Sequence, residues 1–192
     1  ARVDMILDSV PVVKIPNYAY RNLGNLQFED VGESWGLNIA SFSNGAVYSD
    51  LDLDGDLDYI VNNINDRAFL FENKTNEMRP ENNYLQIELK GPKENHFGIG
   101  AKVWVKTQQS ELYTEQRLGR GYMSSVDPVL HFGLGTLNEA LEVVVIWPDG
   151  KSERFQNVQP GTRMQLDYES ATNDPSLVDQ MRSRHKVERT LF

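Results

Sequence analysis

Residues 50–58 read DLDLDGDLD, which places five aspartates within nine positions. Carboxylates this close together repel one another unless a cation lies among them. Hard oxygen ligands at alternate positions, with a glycine at the sixth, are typical of short loops that bind Ca²⁺. We therefore predict a calcium loop at a strand-to-strand turn. Its side-chain oxygens would come from Asp50, Asp52, Asp54 and Asp58, and the seventh position would supply the backbone carbonyl of Asp56.

The residues between these aspartates support the same prediction. Gly55 permits the positive φ of a sharp turn. Leu51, Leu53 and Leu57 alternate with the ligands, so we expect them to point into a core. Two simpler structures compete, namely a type I′ hairpin turn at Asp54-Gly55 and a solvated acidic strand. The turn leaves four aspartates unexplained, and like charges on one face destabilise a strand.

The segment that follows the loop argues against an EF-hand. An EF-hand requires a bidentate Glu at its twelfth position and a helix on each side. Here the twelfth position is Val61, within a β-rich run from Tyr59 to Ile64. The predicted calcium is therefore structural, and we do not expect it to open a pair of helices as in a sensor.

Composition restricts the other classes of function. The chain has 192 residues, a net charge of -9 and 40% hydrophobic residues, enough for one large domain or two small ones. The acidic balance argues against nucleic-acid binding, which requires a basic face. There is no cysteine, and no apolar run approaches the ~18 residues of a membrane span. We expect the chain to be a piece of a longer protein, because it begins within a helical pattern and ends on Leu191-Phe192.

Short strands with regular turn signals dominate the second half of the chain. Seven segments have a β pattern: 84–90, 100–107, 111–118, 129–132, 141–147, 153–155 and 163–168. Further strands are predicted at 18–22, 26–31, 57–65 and 68–73. This spacing predicts an all-β fold, with propeller-like blade strands packed on an antiparallel sandwich or barrel. Short helices are expected at both termini, the second one capped by Asp174 with Pro175 at its first position.

Two blocks of sequence resemble known families. Residues 43–47 (SNGAV), the aspartate loop and residues 57–63 (LDYIVNN) together resemble an FG-GAP/VCBS repeat, a blade of calcium-binding β-propellers. The aspartate positions match fully, whereas the Phe-Gly and Gly-Ala-Pro pattern matches only in part, at Phe42-Ser43 and Gly45-Ala46-Val47. Residues 82–168 resemble an ASPIC/UnbV domain, through NYL at 83–85, GIGAKV at 98–103, GYMSS at 121–125, DPVLHFGLG at 127–135 and WPDGK at 147–151.

These resemblances imply a domain order and a location. We expect a helical lead-in at 1–16, a calcium-binding blade at 17–78, an ASPIC/UnbV-like β-domain at 82–168, and a helix or linker at 173–192. One blade cannot close a propeller, which needs about four to eight. The resemblance implies a secreted or cell-envelope protein, and it implies no established catalysis.

Other candidate sites have weaker support. Gly98-Ile99-Gly100 lacks the third glycine of a dinucleotide-binding loop and opens a strand. His96, His131 and His185 show no metal-ligand spacing, so structural or surface roles are favoured. No pair of acids outside the calcium loop is typical of a glycosidase. Trp104 and Trp147 alternate within strands and are expected in cores, whereas Trp35 is expected to be partly exposed. A surface at Arg117, Arg120 and Tyr122 is a further possible contact patch.

The sequence thus favours a non-catalytic, calcium-stabilised β-module of a secreted or cell-surface protein, for binding, adhesion or assembly. Its expected partners are calcium and an unidentified protein or glycan, with no nucleic acid and no membrane span. The alternative is a carbohydrate-binding or accessory module of a glycan-active enzyme.

Overall fold

The computed structural model of the protein describes residues 13–108 and 110–184, and the fold in these residues is mostly β. The first seven strands are β1 (Ile15–Pro16), β2 (Tyr20–Gly24), β3 (Gln27–Asp30), β4 (Ala40–Ser41), β5 (Ser43–Ser49), β6 (Asp58–Asn63) and β7 (Phe69–Phe71). The remaining eight are β8 (Asn83–Lys90), β9 (Lys102–Lys106), β10 (Glu111–Glu115), β11 (Val129–Gly135), β12 (Leu141–Ile146), β13 (Lys151–Val158), β14 (Thr162–Asp167) and β15 (Thr172–Asn173).

Two short α-helices and a 3₁₀ helix (Tyr168–Ser170) complete the described structure. Helix α1 (Thr75–Met78) lies between β7 and β8, and helix α2 (Pro175–Arg184) follows β15. The Asp174 carboxylate accepts a hydrogen bond from the Leu177 backbone N–H at 3.0 Å, which caps α2 as predicted. The predicted N-terminal helix falls largely on residues 1–12, outside the described residues, and Ile15–Pro16 form a strand that pairs with β4. No described helix has the length and apolar character needed to cross a membrane.

The N-terminal half consists of small antiparallel sheets. Strands β2 and β3 form a hairpin, and β5, β6 and β7 form a three-stranded sheet with β6 in the centre. In that sheet Val47 pairs with Ile60, and Val61 pairs with Phe69. The aspartate loop connects β5 to β6, so it is a strand-to-strand connection as the sequence predicts.

The C-terminal half is a sandwich of two sheets. One sheet has the order β10-β9-β12-β13-β15 and the other has the order β11-β8-β14. Alternate residues of both sheets meet in a single core, which includes Leu85, Ile87, Phe132, Val143 and Leu166. All seven strands predicted between residues 84 and 168 are present, and the all-β class is confirmed. Within the described residues the sheets stay open and no closed barrel forms.

Two features depart from a simple antiparallel sandwich. Strand β14 pairs with β8 in parallel, with Met164 opposite Ile87. In addition, helix α2 covers the outer face of the five-stranded sheet, where Met181 belongs to a second buried cluster with Trp104 and Val144. Strands β9 and β12 are therefore covered on both faces, which explains why β12 has an almost continuous apolar sequence.

Candidate metal centre

The aspartate loop brings three carboxylates together. One carboxylate oxygen from each of Asp50, Asp52 and Asp54 lies within 4.8 Å of the other two. Asp50 is half-buried, whereas Asp52 and Asp54 are exposed. In a water-like dielectric, each pair of unit charges at such a distance repels by about 1 kcal/mol. The three carboxylates could therefore hold a metal ion between them.

Hydrogen bonds from the backbone hold these carboxylates inward. The Gly55 N–H donates to Asp50 Oδ2 at 3.1 Å, and the Asp56 N–H donates to Asp54 Oδ1 at 3.0 Å. The Asp54 N–H donates to Asp52 Oδ1 at 3.4 Å. Such bonds are made by side chains that turn back on their own loop. The second oxygen of each of these carboxylates makes no hydrogen bond to this backbone and is available for a ligand.

One of those second oxygens, Asp50 Oδ1, lies in an environment that calls for a cation or a water molecule. Asp50 Oδ1 is buried, yet it makes no hydrogen bond to any described residue. A buried carboxylate oxygen without a partner is unfavourable unless a cation or water contacts it. Among the described residues, no Lys or Arg nitrogen lies within 4.0 Å of any of the five loop carboxylates. The residues present therefore fit a hard cation such as Ca²⁺.

The other two aspartates predicted as ligands lie outside the group of three. Asp58 is 4% exposed, and its two oxygens accept from the backbone N–H groups of Asn73 at 2.9 Å and Leu51 at 3.0 Å. Asp56 is 7% exposed, and its Oδ2 accepts from the Asn76 N–H at 3.1 Å. These side chains anchor the loop to the segment after β7. The sequence-based ligand set assigned Asp56 only a backbone carbonyl, so its side chain is free for this structural contact.

Burial raises the pKa of the Asp56 carboxyl above its usual value. The hydrogen bond from the Asn76 N–H opposes this rise, and the neighbouring charges of Asp54, Asp58 and Asp52 add to it. Carrying a charge at Asp56 is therefore costly in the protein without a bound cation, and a cation in the loop would reduce that cost.

The leucines of the loop do not lie where the sequence pattern placed them. Leu51 is 50% exposed and Leu53 is 76% exposed, whereas we expected both to point into a core. The expectation was wrong because residues 51–56 form bends and not an extended strand, so side chains do not alternate between two faces. Leu53 itself has a φ of +64°, in the left-handed region. Only Leu57 is half-buried.

No pattern in the sequence identifies the residues that dock this loop on the second half of the chain. Gln86, on β8, donates through Nε2 to Asp50 Oδ2 at 2.6 Å. The His131 Nε2 atom, on β11, lies 2.8 Å from the Gly55 carbonyl oxygen. Because a carbonyl can only accept, His131 carries its proton on Nε2 in this arrangement. Both strands belong to the same sheet, so the loop is anchored to a rigid part of the sandwich.

Packing at Gly55 reinforces this attachment. Gly55 is buried with a φ of +96°, and a Cβ at this position would overlap the ring of Tyr84. The Tyr84 ring in turn stacks on His131, with ring centroids 5.9 Å apart and planes inclined by 16°. The positive φ expected for Gly55 is confirmed, and the structure adds a second reason for glycine, namely the close approach of an aromatic ring.

Comparison with known proteins supports one of the two sequence resemblances. Residues 91–173 match the family model described as ASPIC and UnbV. Cartilage acidic protein 1 from Mus musculus is 33% identical over 134 residues, which cover 68% of this chain and 20% of that protein. The Homo sapiens protein of the same name gives the same identity and coverage. The Xenopus tropicalis protein is 36% identical over 110 residues, which cover 56% of this chain and 16% of that protein.

These matches also define the extent of the similarity. The chain spans about a fifth or less of the length of the curated relatives it matches. The FG-GAP/VCBS resemblance of the first half stays a prediction. An ASPIC/UnbV domain is therefore found in this chain, at residues 91–173, and the chain is similar to cartilage acidic protein 1.

Proposed function

We propose that this chain is a non-catalytic, calcium-stabilised β-module of a secreted or cell-surface protein, serving binding, adhesion or assembly. The observation that carries the proposal is the convergence of Asp50, Asp52 and Asp54 around a buried Asp50 Oδ1 that has no partner among the described residues. The ligand set predicted from the sequence adds the Asp58 carboxylate and the Asp56 carbonyl to these three. Asp58 would then coordinate through oxygens that already accept backbone hydrogen bonds.

The role of the ion would be mechanical. The loop connects β5 to β6 and is attached to the second half of the chain through Gln86 and His131. A cation that neutralises the aspartates would hold the loop in the shape that these contacts require. At a free Ca²⁺ concentration 100-fold above Kd, binding would add about 2.7 kcal/mol to the free energy of unfolding.

The position of the loop also supports an FG-GAP/VCBS blade. The three-stranded sheet β5-β6-β7 has the loop between its first two strands, as that resemblance implies. We propose that this sheet belongs to a propeller completed by other parts of a longer protein, since closure takes about four to eight blades.

The similarity to a protein named for cartilage supports a location outside the cell. Calcium is abundant enough there for sites with Kd values of about 10⁻⁴–10⁻³ M to be filled. A structural calcium site of modest affinity and a secreted or surface location are therefore mutually consistent. The similarity also favours a module without enzymatic activity, since the name of that relative refers to a tissue and an acidic composition and not to a reaction.

Thermal unfolding with and without a chelator tests this proposal. EDTA should lower the Tm of the wild-type chain, and excess CaCl₂ should restore it. The double variant Asp52→Ala/Asp54→Ala should lose the response to EDTA. The control variant Glu33→Ala/Glu94→Ala removes two exposed acidic side chains elsewhere and should keep the response. A wild-type melting curve that EDTA leaves unchanged would contradict the proposal.

A further inference from the structure

A cavity lies between the two halves of the chain, apart from the three convergent carboxylates. Its volume is about 110 Å³. Tyr48, on β5, lines one side, and Thr114, Gln116, Arg117 and Arg120 line the side formed by β10 and the segment after it. The cavity thus combines the Tyr48 ring and the His131 imidazole with hydroxyl, amide and guanidinium groups, beside apolar side chains such as Leu130. A few polar groups among apolar ones are typical of a site for a small molecule.

The two arginines of the cavity differ in their partners. Arg117 is paired with Glu115, with a shortest nitrogen-to-oxygen distance of 3.2 Å. Arg120 is half-buried, and its Nε is fully buried without a hydrogen-bond partner among the described residues. No carboxylate oxygen of those residues lies within 4.0 Å of the Arg120 guanidinium. Arg120 is therefore a cation in the cavity wall that forms no ion pair with a described residue, although the Asp127 carboxylate lines the same cavity.

We propose that this cavity binds the carboxylate of a small hydroxylated molecule, with Arg120 as the group that recognises the charge. A guanidinium presents parallel N–H donors that match the two oxygens of a carboxylate. Thr114 offers a hydroxyl to the rest of such a ligand. Leu57 of the aspartate loop and His131, which contacts that loop at Gly55, also line the cavity, so the test is made with calcium present.

The size and charge of the surroundings define the ligand class. A water molecule needs about 10–15 Å³ of cavity volume. The 110 Å³ of this cavity therefore accommodates a small ligand of several heavy atoms and not a folded segment of another protein. Asp127 also lines the cavity, and the chain carries a net charge of -9. Both would repel a polyanion, so a singly charged ligand is favoured over a multiply sulfated or phosphorylated one.

The unpaired arginine also has a consequence for stability. A partly buried charge without a partner destabilises the fold, and an apolar side chain of similar length removes that penalty. Arg120→Met should therefore leave the Tm of the ligand-free chain unchanged or raise it. If Arg120 had only a structural role, Arg120→Met would instead lower the Tm clearly.

The test is a titration followed by ¹H–¹⁵N NMR on the whole chain in buffer with CaCl₂. Sodium D-glucuronate is the probe, and D-glucose, which has a hydroxymethyl group in place of the carboxylate, is the matched neutral molecule. Glucuronate should produce saturable shifts of amides around the cavity, and glucose and inorganic sulfate should not. Arg120→Met should weaken glucuronate binding at least tenfold, while Asp127→Asn should strengthen it by removing a like charge.

The control is Arg21→Met, since Arg21 is an exposed arginine paired with Glu29 on the β2–β3 hairpin. This variant should bind glucuronate as the wild type does. The proposal is overturned if glucuronate shifts no cavity amides, if glucose or sulfate shifts them equally, or if Asp127→Asn fails to strengthen binding. A marked fall in Tm for Arg120→Met would also overturn it, because Arg120 would then be a structural residue.

Discussion

Replacing Gly55 with alanine should destabilise the chain through two separable effects. The first is the backbone, because Gly55 has a φ of +96°. Residues with a Cβ pay about 1–2 kcal/mol in the left-handed region. The second is packing, because the new methyl group would overlap the Tyr84 ring. Forcing an extra methyl into a filled site costs about 1–3 kcal/mol.

The two effects together predict a loss of about 2–5 kcal/mol in the free energy of unfolding. For a chain of this size, each kcal/mol lowers the Tm by about 2–4 °C. The measurement is urea or thermal unfolding in saturating CaCl₂, where the loop would hold its shape, and again in EDTA, where calcium affinity does not enter the result.

A second glycine serves as the matched control. Gly150 has a φ of +94°, and a Cβ there would have no neighbour within 4 Å. Gly150→Ala should therefore show only the backbone cost of about 1–2 kcal/mol. Combining Gly55→Ala with Tyr84→Leu should recover part of the packing cost. If Gly55→Ala is no more destabilising than Gly150→Ala, the loop does not pack on the sandwich as described.

Three further predictions concern charge and packing. Burial raises the pKa of Asp56 in the folded state. Without calcium, the free energy of unfolding should therefore fall as the pH rises from 3.8, the pKa of Asp56 in the unfolded chain, through its folded pKa. Asp56→Asn should flatten this slope in a series of melts with EDTA. The pKa of Asp149 is lowered overall, because burial raises it but hydrogen bonds, first among them the one from the Tyr168 hydroxyl, lower it more. This carboxylate therefore stabilises the fold above pH 3.8 and loses that contribution as pH falls through the folded pKa. Tyr168→Phe should cost about 1 kcal/mol in the free energy of unfolding at neutral pH and less in acid. Met181→Ala should lower the free energy of unfolding by about 2–5 kcal/mol, because Met181 is fully buried in the cluster that includes Trp104. Urea unfolding should show a lower midpoint, since the substitution weakens the packing of helix α2 on the sheet.

Local pattern was sufficient to predict the strands of the second half and the cap of the last helix. Turn residues separate the strands, and Asp174 followed by Pro175 marks the start of helix α2. Pairing order could not be predicted in the same way. The parallel pairing of β14 with β8 depends on how the chain returns across the sandwich, and no residue within either strand encodes it.

The candidate site shows the same division between local and non-local information. The spacing of Asp50, Asp52 and Asp54 predicted a group of ligands, and their oxygens converge in the structure. Gln86 contacts Asp50 from 36 positions away in the sequence, and His131 contacts Gly55 from 76 positions away. Such contacts are decided by the packing of one half of the chain on the other, so the sequence of the loop alone could not reveal them.

Isothermal titration calorimetry of the metal-free chain with millimolar CaCl₂ tests the central claim most directly. We predict a saturable heat that corresponds to one ion per chain and is absent from Asp52→Ala/Asp54→Ala. Heats no larger than those of dilution, in a chain shown by circular dichroism to be folded, would contradict the claim that these aspartates hold calcium.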